Sequence, residues 1–362
     1  RCGNAGHSFR CILAAALMAI FAAHTCQAGP LRAGAAKVDI THPDTNPRNE
    51  RLWVRALVLS DDETTAVVVG VDAVAIGEIG AIKNDYLSNV RSQLEKDLKI
   101  PPASVLINAS HCHGVICAEI EQRTVQAVKE AWQKMVPVRA GVGIGHEDRI
   151  MENRRLKLKS GREADVRHAS SLPPDTEVAG VEPIDPEIGV LRLDRQDGQT
   201  LAVVYNFACH PIQGVPGGGN TADLTGFASG VIEDNLGEGT IALFVQGCAG
   251  DVNPVFYKDV DHPRDAEPLG NLLGLSTLKA VRGIPSRDGA ALRMINETLT
   301  LPRANLAPRI DAMQAEQTRL VQSLKGTSLN LKTFLSLTAK YNLASEFPSY
   351  YSHRYLHDAQ LG

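Results

Sequence analysis

From Gly34 onward the chain alternates short, β-branched apolar runs with longer amphipathic stretches, a pattern that few folds satisfy. Strand-length runs separated by helix-length segments build an α/β domain. The runs predict strands over 53–59, 66–71, 105–108, 190–193, 201–207 and 241–245. The longer stretches predict helices over 79–98, 118–135, 224–236 and 265–281; in the second, Ile120, Thr124, Ala127, Val128 and Ala131 recur on one face. The expected architecture is a mixed β-sheet core with flanking helices and its site at the carboxyl ends of strands. Residues 160–186, rich in Pro, Asp, Glu and Ser and without periodicity, read as a surface excursion or lid loop. After Pro302 the sequence becomes helix-rich: Ile310, Met313, Leu320 and Leu324 share a helix face, and 327–342 offers a second helix.

The chain has 362 residues, enough for two ordinary domains or one large α/β unit with insertions. Hydrophobic residues at 44% and charged residues at 22% exclude disordered and coiled-coil classes, and a net charge of −4 without long charge runs argues against a nucleic-acid partner. The N-terminus stands apart. Arg1 and Arg10 precede an apolar run of about 13 residues, Cys11 to Ala23, shorter than the roughly 20 a spanning helix needs, and Ala28 precedes Gly29-Pro30. The stretch reads as a secretory signal peptide and predicts a secreted or periplasmic protein. The expected layout is a signal peptide over 1–28, an α/β catalytic domain over 29–300 and a helical continuation over 301–362. Removal of the peptide leaves Cys112, Cys117, Cys209 and Cys248, which allow three disulfide pairings or serve as buried small residues. The absence of CxxC excludes a cysteine zinc knuckle.

Three strand ends carry the chemistry. The run SVLINASHCHG, Ser104 to Gly114, sends an apolar strand into His111-Cys112-His113, and in an extended chain alternate imidazoles address one point, an arrangement suited to zinc. In LAVVYNFACHPIQ, Leu201 to Gln213, a second strand ends at His210, held by Pro211. Asp223, at the following helix start, reads as a cap or as an acceptor for a ligand histidine. In FVQGCAGDVNP, Phe244 to Pro254, glycines let backbone amides approach a ligand, and Asp251 orients a histidine, binds metal or closes an Asx-turn. No P-loop or GxSxG elbow is present. Together the three ends point to a divalent metal on two histidines that activates water for hydrolysis.

These residues resemble a known family. AGAAKVDITHP (Ala33 to Pro43), INASHCHG (Ile107 to Gly114), ENRRL (Glu152 to Leu156), NFACHP (Asn206 to Pro211) and VQGCAGDVNP (Val245 to Pro254) follow the order of motifs in the neutral, non-lysosomal ceramidases. The resemblance implies a zinc-dependent amidase that splits ceramide into a sphingoid base and a fatty acid, with a metal-bound water as nucleophile. By motif, His111 and His210 are implied zinc ligands and His113 a proton-transfer or orienting residue. Arg154 is implied to hold substrate or the tetrahedral oxyanion; by its own sequence surroundings it also reads as one charge on a solvated strand. The implied partners are a lipid amide substrate and, peripherally, a membrane surface, with no obligate protein partner.

Two departures accompany the likeness. Asn253 stands where the family usually carries serine, and an asparagine there still donates a hydrogen bond to an oxyanion. The family's other zinc ligands, a glutamate and a tyrosine in Pro-Gly-Glu and Tyr-Ile-Pro contexts, have no counterpart here; Glu346, Tyr350 and Tyr351 lie in the different context EFPSYY. The expectation is that the domain and its remaining ligands continue beyond Gly362. Competing readings are a non-catalytic binding protein on the same fold and a metal-dependent hydrolase of another amide or ester.

Overall fold

Valine-rich runs separated by tight turns form an antiparallel meander of β1 (Arg32–Asp39), β2 (Trp53–Ser60) and β3 (Thr65–Val71). A crossover through α1 (Tyr86–Leu98) then returns the chain as β4 (Val105–Ala109), parallel to β3. After α2 (Ile120–Gln133), β5 (Val136–His146) opens the second half. Short strands β6 (Met151–Asn153), β7 (Arg155–Leu158), β8 (Glu163–Asp165) and β9 (Val178–Val181) precede β10 (Glu187–Arg195) and β11 (Thr200–Phe207). A second parallel crossover through α3 (Asp223–Leu236) yields β12 (Ile241–Gln246), followed by β13 (Val252–Pro254), α4 (Glu267–Gly283) and α5 (Ala307–Leu324). This computed structural model describes residues 30–45, 49–165, 173–215, 217, 219–257 and 262–324.

Eight strands form one mixed sheet in the order β12-β11-β10-β5-β1-β2-β3-β4. Strand pairing joins its halves only at Arg32↔Pro137 and Ala33↔Val136 among the described residues. About that narrow join the sheet folds over, so that edge strand β12 packs against β2, β3 and β4. Between the halves lie Leu57, Leu59, Val138, Leu193, Leu201 and Leu243. Outside the first half, α1 and α2 cover Val54, Val67 and Val69 with Tyr86, Leu94 and Val128; outside the second, α3 and α4 cover Val203, Tyr205 and Phe207 with Leu224 and Leu273. Each such buried side chain contributes roughly 1.5–3 kcal/mol of transfer free energy.

The mixed sheet with flanking helices is the expected fold class, and the six predicted strands all form. Two long strands, β1 and β5, carry no strand signal because their composition answers to packing. A Cβ on Gly34 of β1 would lie 1.9 Å from the Ala131 carbonyl oxygen of α2. Gly141, Gly143 and Gly145 of β5 likewise face Ile284, Pro285 and Ala280 at 2.5–3.0 Å from any added Cβ. Helix α1 begins at Tyr86, later than the expected position 79, after positive φ values at Glu78 and Gly80. Within the expected loop at 160–186, residues 163–165 form β8 and residues 178–181 form β9, and both pair with β7 as a three-stranded sheet. In α5, Ile310 and Met313 are exposed. The expected signal peptide and the helix over 327–342 lie outside the described residues. No described helix is long and apolar enough to cross a membrane. The four described cysteines, Cys112, Cys117, Cys209 and Cys248, are free thiols.

Charge is buried between the halves. Arg55 on β2 donates to Asp72 at 2.9 Å and to Glu233 of α3 at 3.4 Å, and Glu233 also takes Lys37 and the Ala242 N–H of β12. Burial opposes the guanidinium charge, but Asp72 and Glu233 outweigh it and hold the Arg55 pKa above its ordinary value. Removing one member of a buried pair strands the others, so Arg55→Ala should cost about 3–5 kcal/mol in urea-denaturation free energy.

Nearby, burial pushes the Glu50 carboxyl up to about 8, against the hydrogen bond that Thr221 Oγ1 gives it at 2.8 Å. A raised carboxyl pKa means that the folded state holds a proton the unfolded chain releases, so stability is full below about 4.5 and falls as pH rises through about 8. Wild-type stability minus that of Glu50→Gln should therefore decline across this window, by at most about 1.4 kcal/mol per pH unit. A flat difference in denaturation free energy across it would sink the assignment.

Candidate functional site

The fold-over brings the carboxyl ends of β4 and β11 together. β3 exits beside β4, and its departing backbone organises the first histidine: Val71 O accepts the Ser110 N–H, and Ala73 O accepts the His111 N–H, each at 2.9 Å. Val74 O then receives His111 Nδ1 at 2.6 Å. His111 itself adopts φ +70°, a left-handed conformation uncommon for a residue with a Cβ. At the end of β11, the His210 N–H donates to Val252 O at 3.0 Å and its Nδ1 bonds Ala249 O.

The two rings converge through their other nitrogens. His111 Nε2 and His210 Nε2 are 3.1 Å apart, with ring centroids at 4.8 Å. Three contacts lie in line, carbonyl to ring, ring to ring and ring to carbonyl, and two neutral imidazoles supply only two protons. Both carbonyls can only accept, so the protons belong on the two Nδ1 atoms and two Nε2 lone pairs face each other. Burial first, and then His111 and Arg154, push the His210 pKa down to about 4, so the His210 ring brings no second proton to the gap at neutral pH.

A cation satisfies both lone pairs. Zinc–nitrogen bonds of about 2.0–2.1 Å in a tetrahedral set place two ligand nitrogens about 3.3 Å apart, near the observed spacing. Fixing Nδ1–H on a backbone carbonyl is also how proteins orient metal-binding imidazoles. The donor set thus fits zinc, although no cluster of three or more His, Cys, Asp or Glu suited to a metal exists among the described residues. Glu346, Tyr350 and Tyr351 lie outside those residues.

The alternation expected of His111 and His113 does not hold, because the chain leaves the extended conformation at His111. His113 is exposed to solvent on one side, its ring edge-on to His111 with centroids at 5.9 Å, and partial desolvation on the protein side, then His111, lowers its pKa. The nitrogen facing His111 comes from His210, 99 residues away. Arg154 is not a solvated strand charge: its side chain is mostly buried, Nε lies 3.0 Å from Asp165 Oδ1, and its charge is felt at His210. Its backbone N–H donates to Asp251 O at 2.7 Å, which ties the Asn-Arg segment to the glycine-rich turn.

Asn253 is fully buried, and neither Nδ2 nor Oδ1 has a hydrogen-bond partner. Asp251 meets Asn153 at 3.3 Å and Arg155 at 3.7 Å rather than a histidine. Asp223 likewise serves no ring. Its carboxylate takes the N–H groups of Gln213, Gly214 and Leu224 and pins the loop before α3 to that helix's first turn. Beside the glycine-rich turn opens a polar pocket of about 430 Å³, whose lining includes Cys248, Asp251, Arg155, Glu163 and Glu182. Sequence reasoning missed the carbonyls of Val74 and Ala249, which hold the rings. A backbone acceptor leaves no residue-type signal; only the position of Ala249 within the third strand-end motif pointed to it.

No family model matches the chain, and no curated protein matches it. Solved structures do. A ceramidase complexed with C2 aligns with a TM-score of 0.55 at 19% identity, covering 69% of this chain and 44% of that one. The neutral ceramidase from Pseudomonas aeruginosa aligns with a TM-score of 0.54, with the same identity and coverage. The chain shares the fold of the neutral ceramidases and spans less than half the length of those two structures.

The proton count can be tested. In the metal-free protein, long-range ¹H–¹⁵N spectra should find His111 and His210 both protonated at Nδ1. An Nε2–H tautomer at either ring would show that a proton, and not a pair of lone pairs, occupies the gap.

Proposed function

We propose that the chain is the amino-terminal part of a secreted, zinc-dependent hydrolase of N-acyl amide bonds, acting on lipids of the ceramide type. The observation that carries this reading is the pair of Nε2 atoms 3.1 Å apart, with each ring's Nδ1 held on a backbone carbonyl. The ceramidase fold of the similar structures supports the bond class. Export is proposed on the apolar N-terminal run alone.

In this reading His111 and His210 hold zinc. The metal, when bound, supplies Lewis acidity toward an acyl carbonyl and acidifies water near neutral pH. His113, with a lowered pKa, is neutral at pH 7 and accepts a proton from the attacking water, then returns it to the departing amine nitrogen. Arg154 and the free Nδ2 of Asn253 face negative charge as it gathers on the carbonyl oxygen; a buried, preoriented donor is worth more there than in water. The water oxygen ends on the acyl carbon and its protons divide between the amine and solvent, giving a fatty acid and a sphingoid base.

The two-histidine donor set also favours a second reading, a ceramidase-fold protein that binds N-acyl lipids without cleaving them, because catalytic zinc normally has three protein ligands. One experiment addresses both. Purified protein should bind one zinc per chain, and His111→Ala and His210→Ala should each abolish binding, measured by metal analysis and chelator competition. Turnover of N-acyl sphingosine by the zinc-loaded protein selects the enzyme; zinc binding without turnover in the full-length gene product selects the binding protein, and a folded full-length protein that takes no zinc overturns the metal reading.

A further inference from the structure

Strands β4 and β12 are the two ends of the sheet order, and the fold-over makes them neighbours without a backbone ladder. Near the histidines this open seam is spanned by Gln246, the last residue of β12. Its backbone N–H donates to Asn108 Oδ1 at 2.9 Å, and its side-chain Nε2 donates to Cys209 O at 3.3 Å and to Gly247 O at 3.2 Å. Asn108 stands three residues before His111, and Cys209 immediately precedes His210. One residue therefore reaches both histidine-bearing strand ends, while the polar partners of the rings among the described residues are Val74, Ala249 and each other.

We propose that Gln246 and Asn108 form a positioning pair that sets the separation of His111 and His210 by clamping the seam where β4, β12 and β11 end. Without the clamp, the side-chain links between these two segments lie away from the rings: the Asn220 amide binds Val115, four residues past His111, and the Arg55–Glu233–Ala242 network sits at the far end of β12. A site of this kind must be held to about 0.5 Å, and the Gln246–Asn108 contact is the link nearest the two strand ends themselves. At the other end of β12, Glu233 takes the Ala242 N–H and Arg55, so the two ends of the strand are fixed by separate devices. The Gln246 Oε1 atom is buried without a partner. The amide thus bears the cost of an unmet acceptor while its Nε2 keeps the Cys209 contact, as expected where placement matters more than stability.

The proposal rests on the metal reading only for its affinity measurement, and the test separates the two. In the full chain, Asn108→Ala and Gln246→Ala should each move the ring ¹⁵N signals of both His111 and His210 in metal-free protein, leave those of exposed His146 in place, and weaken zinc binding about 10- to 100-fold. Asn108→Asp, which keeps the acceptor oxygen and side-chain length, should restore the ring signals. If Asn108→Ala does not fold, Gln246→Asn, which retains the backbone donor but shortens the side-chain reach, decides instead. Ring signals identical to wild type in the alanine variants, even with a lower Tm, reduce the bridge to a stabilising contact and overturn the proposal, as does failure of Asn108→Asp to restore them. A full-length wild type that binds no zinc refutes the metal reading alone; the metal-free ring signals still decide the positioning role.

Discussion

Two residue pairs, Arg32↔Pro137 and Ala33↔Val136, are all that joins one half of the sheet to the other by backbone pairing. So slight a join lets the halves turn face to face, and it leaves their mutual placement to whatever lies between them. That is apolar packing around Leu57, Leu193 and Leu243 in the middle and a buried charge network, Arg55 with Asp72 and Glu233, at one side. Dispersion and burial supply the stabilisation but are indifferent to small rotations; directional bonds fix the angle. The site at the strand ends inherits its geometry from that angle.

The legible part of the fold was the part whose residue types were chosen by the sheet itself. Val67, Val69, Val203 and Tyr205 sit on faces that bury side chains, and apolar β-branched or aromatic residues announce such faces. β1 and β5 were invisible because their residues were chosen by the helices above them. Gly34 makes room for a helix carbonyl, and Gly141, Gly143 and Gly145 make room for the end of α4 and the turn after it. Close packing of a helix on a strand removes the side chains by which a strand is recognised.

The site shows the same division. The two histidines stand out because polar side chains at the ends of apolar strands have no packing reason to be there. Their pairing was implied by the family's motifs but not by residue spacing, since it depends on a left-handed residue at 111 and on the fold-over of a sheet whose central strands the sequence conceals. What holds the rings is backbone: Val74 O on one side and Ala249 O on the other. Substitutions in the Gly247–Asp251 turn therefore act on His210 through the path of the main chain, whatever side chain they introduce.

Each half of the chain contributes one strand–helix–strand crossover, β3-α1-β4 and β11-α3-β12, and one histidine at its end. Either half alone lacks the opposing Nε2 that the other half supplies. Only docked halves create the paired donors, so any cation taken up there would report that the halves are docked. Because such binding stabilises the docked form and not its precursors, cation concentration would govern how long-lived the assembled chain is, and scarcity would show first as halves that part and become open to proteolysis.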